Sequence, residues 1–271
     1  MWSAVADGWG DNADFIDARG AHLNERMLGA TAPAAGDRVL ELACGVGGPG
    51  FAAAALVGPT GSVVVSDVAP EMTAIATQRA RALGLTVDVR VRDLEQIDEP
   101  DRAYDVVLCR EGLMLVADPA LAVGEIRRVL APGGRVAIAV WAARERNPWL
   151  GVVFDVVSAQ LGMPLPPPGL PHPFSLDDPD RLRALLADAG LADVAIDDVD
   201  APYDAASVDE WWDRTAAMAG PLSQVIGGLP EDAARELRGR AHEAIAPYRT
   251  GDGALHIPGV SLLASARAPE A

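Results

Sequence analysis

From Asp37 onward the chain alternates short, mostly apolar runs with segments whose apolar residues recur at helical spacing. The runs DRVLELAC, SVVVSD, TVDVRVRD, YDVVLCR and RVAIAVWA predict five strands. Between them PGFAAAALV, PEMTAIATQRARALG and PALAVGEIRRVLAPGG predict helices. Pro49 suits a first helical turn and Gly84 a C-terminal cap, and the third helix is expected to stop at Pro132-Gly133-Gly134. A strand that is apolar along its whole length is buried on both faces, as in a parallel sheet with helices on either side. The pattern therefore predicts a doubly wound α/β sheet.

The flanks differ. Residues 1–36 predict a helical cap carrying Trp2, Trp9 and Phe15, and residues 37–271 one compact unit. After Trp141 the rhythm breaks. Residues 144–178 predict a helix from about Trp149 to Leu161, then a proline-rich stretch with Pro166-Pro167-Pro168 that suits neither a helix nor a central strand. This reads as an insertion at the carboxyl edge of the sheet. Beyond it PDRLRALLADAG predicts a helix, LADVAIDDVD a sixth strand, and SVDEWWDRTAAMAG and PEDAARELRGRAHEAIAPY two further helices. ALHIPGVSLLASARA predicts a last strand, seated antiparallel. The expected architecture is thus a mostly parallel seven-stranded sheet with an antiparallel last strand and a helical insertion, a Rossmann-like fold.

Composition narrows the chemistry. The 271 residues carry a formal charge of −17, which argues against a nucleic-acid partner, because a phosphate backbone would be repelled. All basic residues are arginine, so lysine Schiff bases, lysine general bases and P-loop phosphate binding are excluded. No run reaches the roughly 18 apolar residues of a membrane helix. The N-terminus MWSAVADGWGDNADF has neither the basic start nor the apolar core of a secretory leader. A cytoplasmic protein without membrane partners is expected. Cys44 and Cys109 are too few for a disulfide scaffold and lack metal-ligand spacing; they are expected as reduced thiols at the ends of neighbouring strands, with no metal bound.

The informative segment is Val39-Leu40-Glu41-Leu42-Ala43-Cys44-Gly45-Val46-Gly47-Gly48-Pro49-Gly50. A glycine-rich turn between the first strand and first helix lets a ligand approach the backbone. Residues 45–50 satisfy G-x-G-x-x-G, a dinucleotide fingerprint. Three carboxylates tip the balance elsewhere. Glu41 would repel a pyrophosphate but suits a cofactor with an ammonium and a sulfonium. Asp67, ending the second strand, can hold both ribose hydroxyls, and Asp93, ending the third, can accept from an adenine amino group. Together they match adenosine with a cationic tail.

The motifs VLELACGVGGPG, VVVSDVAPEM, VRVRDLEQI, YDVVLCREGLML and RVLAPGGRVAIAVW resemble, in order, those of class I S-adenosylmethionine-dependent methyltransferases over about residues 37–142. The likeness is strongest to the ubiquinone/menaquinone-type small-molecule branch. The resemblance implies that Glu41, Ala43, Gly45 and Gly47 line the methionine moiety and that Asp67 holds the ribose. It implies that Val68 and Met72 flank the adenine, that Asp93 and Leu94 contact its edge, and that Arg110 lies near the methionine. Ala43 departs from the glycine common at that place.

Methyl transfer to a small, partly apolar metabolite is the expected activity, at an oxygen, nitrogen or carbon atom, by a monomer or homodimer. The alternatives are a protein that binds the cofactor without methylating and a nicotinamide-dependent reductase. The reductase predicts a tyrosine or lysine near the fourth strand to handle a carbonyl; no lysine is there, and the one tyrosine, Tyr104, opens the strand at the end away from the glycine-rich turn. A general base is needed only for a protonated acceptor. His172 in the insertion, His22 in the cap and Glu111 past the fourth strand are the candidates. His242 and His256 read as structural, and Trp149, Phe174, Trp211 and Trp212 as walls of an apolar site or core.

Overall fold

The computed structural model describes residues 2–167 and 169–270, so Pro168 of the proline run lies outside the described residues. It opens with a 3-10 turn (Trp2–Val5), α1 (Ala6–Asp11) and α2 (Ala13–Thr31). There follow β1 (Arg38–Leu42), α3 (Pro49–Val57), β2 (Ser62–Asp67), α4 (Pro70–Ala82), β3 (Asp88–Val91), β4 (Tyr104–Arg110), α5 (Pro119–Val129) and β5 (Leu130–Trp141). Then come α6 (Pro148–Leu161), α7 (Pro179–Asp188), β6 (Ala192–Asp200), β7 (Tyr203–Ala205), α8 (Val208–Met218), α9 (Pro221–Gly227), α10 (Glu231–Ile245), β8 (Leu255–Ile257) and β9 (Val260–Arg267).

The main sheet runs β3-β2-β1-β4-β5-β9-β6. β9 is antiparallel to both neighbours and the pairings from β3 to β5 are parallel. The strand order reverses between β1 and β4, and ligands of open α/β sheets bind outside the carboxyl ends of the strands at such a switch point.

Strand alternation divides the core into two faces. Val107 and Cys109 of β4, with Val136, Ile138 and Val140 of β5, face α5 residues Ala122, Val123 and Ile126. Val106 and Leu108 of β4 and Ala137 and Ala139 of β5 face the other side, with Leu23 and Met27 of α2 and Ala53 and Val57 of α3. The alanines of β5 leave room for α2 to lie close against the sheet. Its other end, with α1, belongs to a third cluster, in which Val5, Ala6 and Ala13 pack on Val46, Ala69 and Met72. The N-terminal helices thus cover both the sheet and the loops at its carboxyl edge. Cys44 and Cys109 are free and buried, and they sit in the two opposite-face clusters rather than side by side.

Some boundaries differ from the sequence expectation. α5 ends at Val129, and Leu130 already pairs with Tyr104, because the residue before Pro132 is driven out of the helical region. The last strand is two: Pro258 lacks the N–H a continuous ladder needs, and β8 turns away to pair with β7 in a two-stranded ribbon. α9 had no separate expectation.

Candidate active site

Two carboxyl groups lie under the glycine-rich turn. Glu41, near the end of β1, is 1% exposed, and its Oε2 accepts from Gly50 N at 2.9 Å. A Cβ at Gly48 or Gly50 would stand 2.4–2.5 Å from its carboxyl oxygens, so both glycines are needed to admit it. Burial pushes the Glu41 carboxyl up to about 8, against the pull of Arg110 and the Gly50 N–H. Asp67 ends β2 with Oδ2 accepting from Gly45 N and Oδ1 from Ala69 N, each at 2.9 Å. Burial raises it as well, and these amide bonds oppose the shift. One side chain therefore ties the turn after β1 to the turn after β2.

Two of the five non-glycine residues with positive φ among the described residues flank the site. Ala43 and Glu111 adopt positive φ of 52° and 58°, immediately past the paired ends of β1 and β4. Each left-handed non-glycine residue costs about 1–2 kcal/mol, and such strain gathers at functional sites. Glu111 is half-buried; its N–H donates to Ala139 O at 2.7 Å and its Oε1 accepts from Ser261 Oγ at 3.2 Å. Burial pushes its carboxyl up, opposed by Arg110 and Arg19.

Arg110, the last residue of β4, donates from Nη1 to Asn24 Oδ1 of α2 at 2.9 Å. A Cβ at Gly20 would lie 2.1 Å from that nitrogen, so the guanidinium is wedged against α2. Trp9 closes over the glycine turn, its ring 3.5 Å from where a Gly45 Cβ would stand, and its Nε1 donates to Met218 O at 3.1 Å. Arg79 fastens the same loop, donating to Val46 O at 2.6 Å and pairing with Asp17 of α2.

Glu41, Ala43, Gly45, Gly47, Asp67, Arg110 and Glu111 all stand on the turns at the carboxyl ends of β1, β2 and β4. Met72 and Leu94 are buried, whereas Val68 is 50% exposed. Asp93 lies two residues past β3, exposed, with Oδ1 accepting from Glu95 N at 2.9 Å. The candidate bases separate. His22 is exposed on α2 beside Glu25, and His172 accepts from Phe174 N through its own Nδ1 within the insertion. Of the three, Glu111 alone adjoins Arg110. His256 pairs with Asp204 on the outer ribbon and His242 faces Asp209.

The sequence reading missed Arg19. This α2 residue stands over the rings of Trp141, Trp149 and Tyr203, with its Cζ 4.7, 4.1 and 5.1 Å from their centroids. Nothing in the helical pattern of α2 distinguishes it from the other polar positions of that helix.

The fold and site define a doubly wound α/β protein with two buried carboxyls under a glycine-rich turn at the switch point. A model of a methyltransferase domain matches residues 33–158. A ubiquinone biosynthesis O-methyltransferase of Cereibacter sphaeroides is 33% identical over 178 residues, covering 66% of this chain and 69% of that protein. The ubiquinone/menaquinone biosynthesis C-methyltransferase of Ectopseudomonas mendocina is 36% identical over 132 residues, 48% of this chain and 51% of the relative, so the match spans about half of that relative's length. The YcgJ protein of Bacillus subtilis has the same fold, with a TM-score of 0.60 at 20% identity, covering 93% of this chain and all of that one. The chain belongs to the class I S-adenosylmethionine-dependent methyltransferases.

Proposed function

We propose that the chain transfers a methyl group from S-adenosylmethionine to a small molecule held above the carboxyl ends of β4 and β5. The observation that carries this reading is the pair of buried carboxyls on the first two turns, Glu41 on Gly50 N and Asp67 on Gly45 N and Ala69 N. The donor set fits the cofactor: acid beneath a cationic tail, Asp67 for the ribose, and an apolar wall from Val46 and Met72. When bound, the cofactor supplies an electrophilic methyl group on a sulfonium whose leaving group is neutral. What remains for this chain is alignment and exclusion of water.

Glu41, Ala43, Gly45 and Gly47 surround the methionine part, with Arg110 beside it. Val68 and Met72 flank the adenine, and Asp93 and Leu94 meet its edge. The dinucleotide reading is weakened by one bond. The Gly50 N–H at the start of α3, where a pyrophosphate would dock, is already satisfied by the Glu41 carboxyl. The reading as a binding protein without transferase activity is separated by experiment. The protein is incubated with S-adenosylmethionine and a metabolite extract; products one methyl group heavier are expected, and their absence despite tight cofactor binding would contradict transfer.

Asp67→Ala should weaken S-adenosylhomocysteine binding by about 1–3 kcal/mol, because it removes the carboxyl acceptor and leaves two amides unpaired. Calorimetry reads this directly, and unchanged affinity would rule out Asp67 as the ribose ligand. Gly20→Ala should separate stability from binding. Alanine gains about 1 kcal/mol of helix propensity, yet its Cβ displaces Arg110. The expected outcome is a melting temperature that does not fall and a cofactor affinity about tenfold weaker, the loss of roughly one charged hydrogen bond.

The N-terminal helices and residues 144–178 serve in this reading as a lid that seals the acceptor from water. Ser175 Oγ donates to Met114 O in the turn after β4, and Phe174 packs on Phe154 of α6, which keeps the end of the insertion beside the carboxyl edge. Deletion of residues 164–172 should leave cofactor affinity nearly intact and abolish transfer. Normal turnover by that variant would remove the lid from the account.

A further inference from the structure

We propose that the acceptor is a molecule with an acidic hydroxyl, a phenol or an enol, and that Arg19 and Glu111 hold its oxygen between them. This rests on the methyltransferase reading, but it concerns the acceptor half of the site alone.

Arg19 is fixed from three sides. Its Nε donates to Pro202 O and its Nη2 to Ala201 O, both at 3.1 Å, while the rings of Trp141, Trp149 and Tyr203 surround the guanidinium. Most arginines of this acidic chain sit in ion pairs. Arg19 makes none among the described residues, although it is buried enough that its guanidinium is pulled down to about 10 and remains charged at neutral pH. The opposite charge that acts on it most strongly is Glu111. The two are brought together by one register pair of the sheet, whose side chains share a face. Ser261, which donates to Glu111 Oε1, is the β9 partner of Trp141, whose ring lies beneath Arg19. Glu111 and Arg19 thus attract one another without pairing.

A hydroxyl oxygen answers both groups, donating its proton to the carboxylate while accepting from the guanidinium. In the chemical step the O–H bond breaks, the proton passes to the Glu111 carboxylate, and the bonding pair stays on oxygen, where Arg19 balances the charge. The oxygen then has the free pair that methyl transfer requires. A carboxylate is too weak a base for an alkyl alcohol, which gives up its proton about as reluctantly as water, but a phenol ionises at about 10, and an adjoining guanidinium lowers that further. Burial raises Glu111 toward the acceptor's range. A cationic amine is disfavoured, because Arg19 already fills the aromatic cage and Arg110 adds a second positive charge.

The test uses p-nitrophenol, whose ionised form absorbs visibly, against phenyltrimethylammonium as a cationic ring of similar size. Both are titrated into the full chain with S-adenosylhomocysteine present. The wild type should bind the phenol at least tenfold more tightly than the cation. With Glu111→Gln, bound p-nitrophenol should be more ionised than the free compound at the same pH. Adding Arg19→Met to that variant should abolish the shift, and Arg19→Lys should keep part of it. Affinity for S-adenosylhomocysteine within twofold of wild type shows that the Arg19 variants are folded, and the lysine variant decides if the methionine one is not. Tighter binding of the cation, or an ionisation shift indifferent to Arg19, would overturn the proposal and leave the cofactor reading standing. Failure of S-adenosylhomocysteine to bind, with the phenol behaving as expected, would do the reverse.

Discussion

The affinity for S-adenosylmethionine should rise with pH by up to about tenfold per unit below about pH 7.5, the limit for one coupled proton, and Glu41→Gln should abolish the slope. Burial holds the Glu41 carboxyl at about 8, far above its ordinary 4.5, so at neutral pH the free protein keeps it mostly protonated. A cation beside it favours the ionised form, and binding therefore releases a proton. The sign for stability is opposite. The folded chain holds one proton more than the unfolded chain between about 4.5 and 8, so this group's contribution to stability declines as the pH rises through that window. Asp67 is shifted in the same direction by burial and adds to the effect, while Arg110 opposes it. Glutamine keeps a carbonyl oxygen for the Gly50 N–H but cannot titrate. Calorimetric titrations between about pH 5 and 7.5 in buffers of different ionisation enthalpy measure both the slope and the released proton. A flat profile in the wild type would mean that Glu41 is ionised before the cofactor arrives.

Trp211→Ala should destabilise the fold by about 3–5 kcal/mol, the usual cost of removing a buried aromatic side chain. Trp211 of α8 has no exposed surface; its Nε1 donates to Trp149 O at 2.9 Å and its ring meets Trp212 edge-on, with centroids 6.2 Å apart. The truncation would leave a cavity between α8 and α6 and remove the second donor from the Trp149 carbonyl, which sits in the first turn of α6. Trp211→Phe keeps most of the volume and loses the N–H, and should cost nearer 1 kcal/mol for the bond. Urea denaturation separates the two through the midpoint at constant slope. A loss below about 1 kcal/mol for the alanine variant would show that this contact carries little of the packing.

The contrast between Glu41 and Arg19 explains how far the sequence could be read. Glu41 and Asp67 stand at the ends of apolar runs that can only be buried strands, so strand periodicity alone brings them to one edge of the sheet. Arg19 gains its role from Ala201 and Pro202, whose separation from it in the chain is 182 and 183 residues, and no local pattern encodes that meeting. The same holds for the β7–β8 ribbon, two three-residue strands joined across three helices, whose pairing is tertiary. Glu111 was legible as a candidate base from its place after β4, but its positive φ and its bond to Ser261 were not. His172 and His22 are candidates by residue type alone; in the structure His172 accepts from Phe174 N inside the insertion, and His22 lies exposed on α2 beside Glu25.

The central claim is that the site at the carboxyl ends of β1, β2 and β4 takes a cationic adenosyl cofactor and not a dinucleotide. One calorimetric comparison addresses it, titrating the purified full chain with S-adenosylmethionine and, separately, with NADH. The account predicts saturable one-to-one binding of S-adenosylmethionine, weakened by Asp67→Ala, and no heat of binding with NADH. Binding of NADH with no response to S-adenosylmethionine would contradict it.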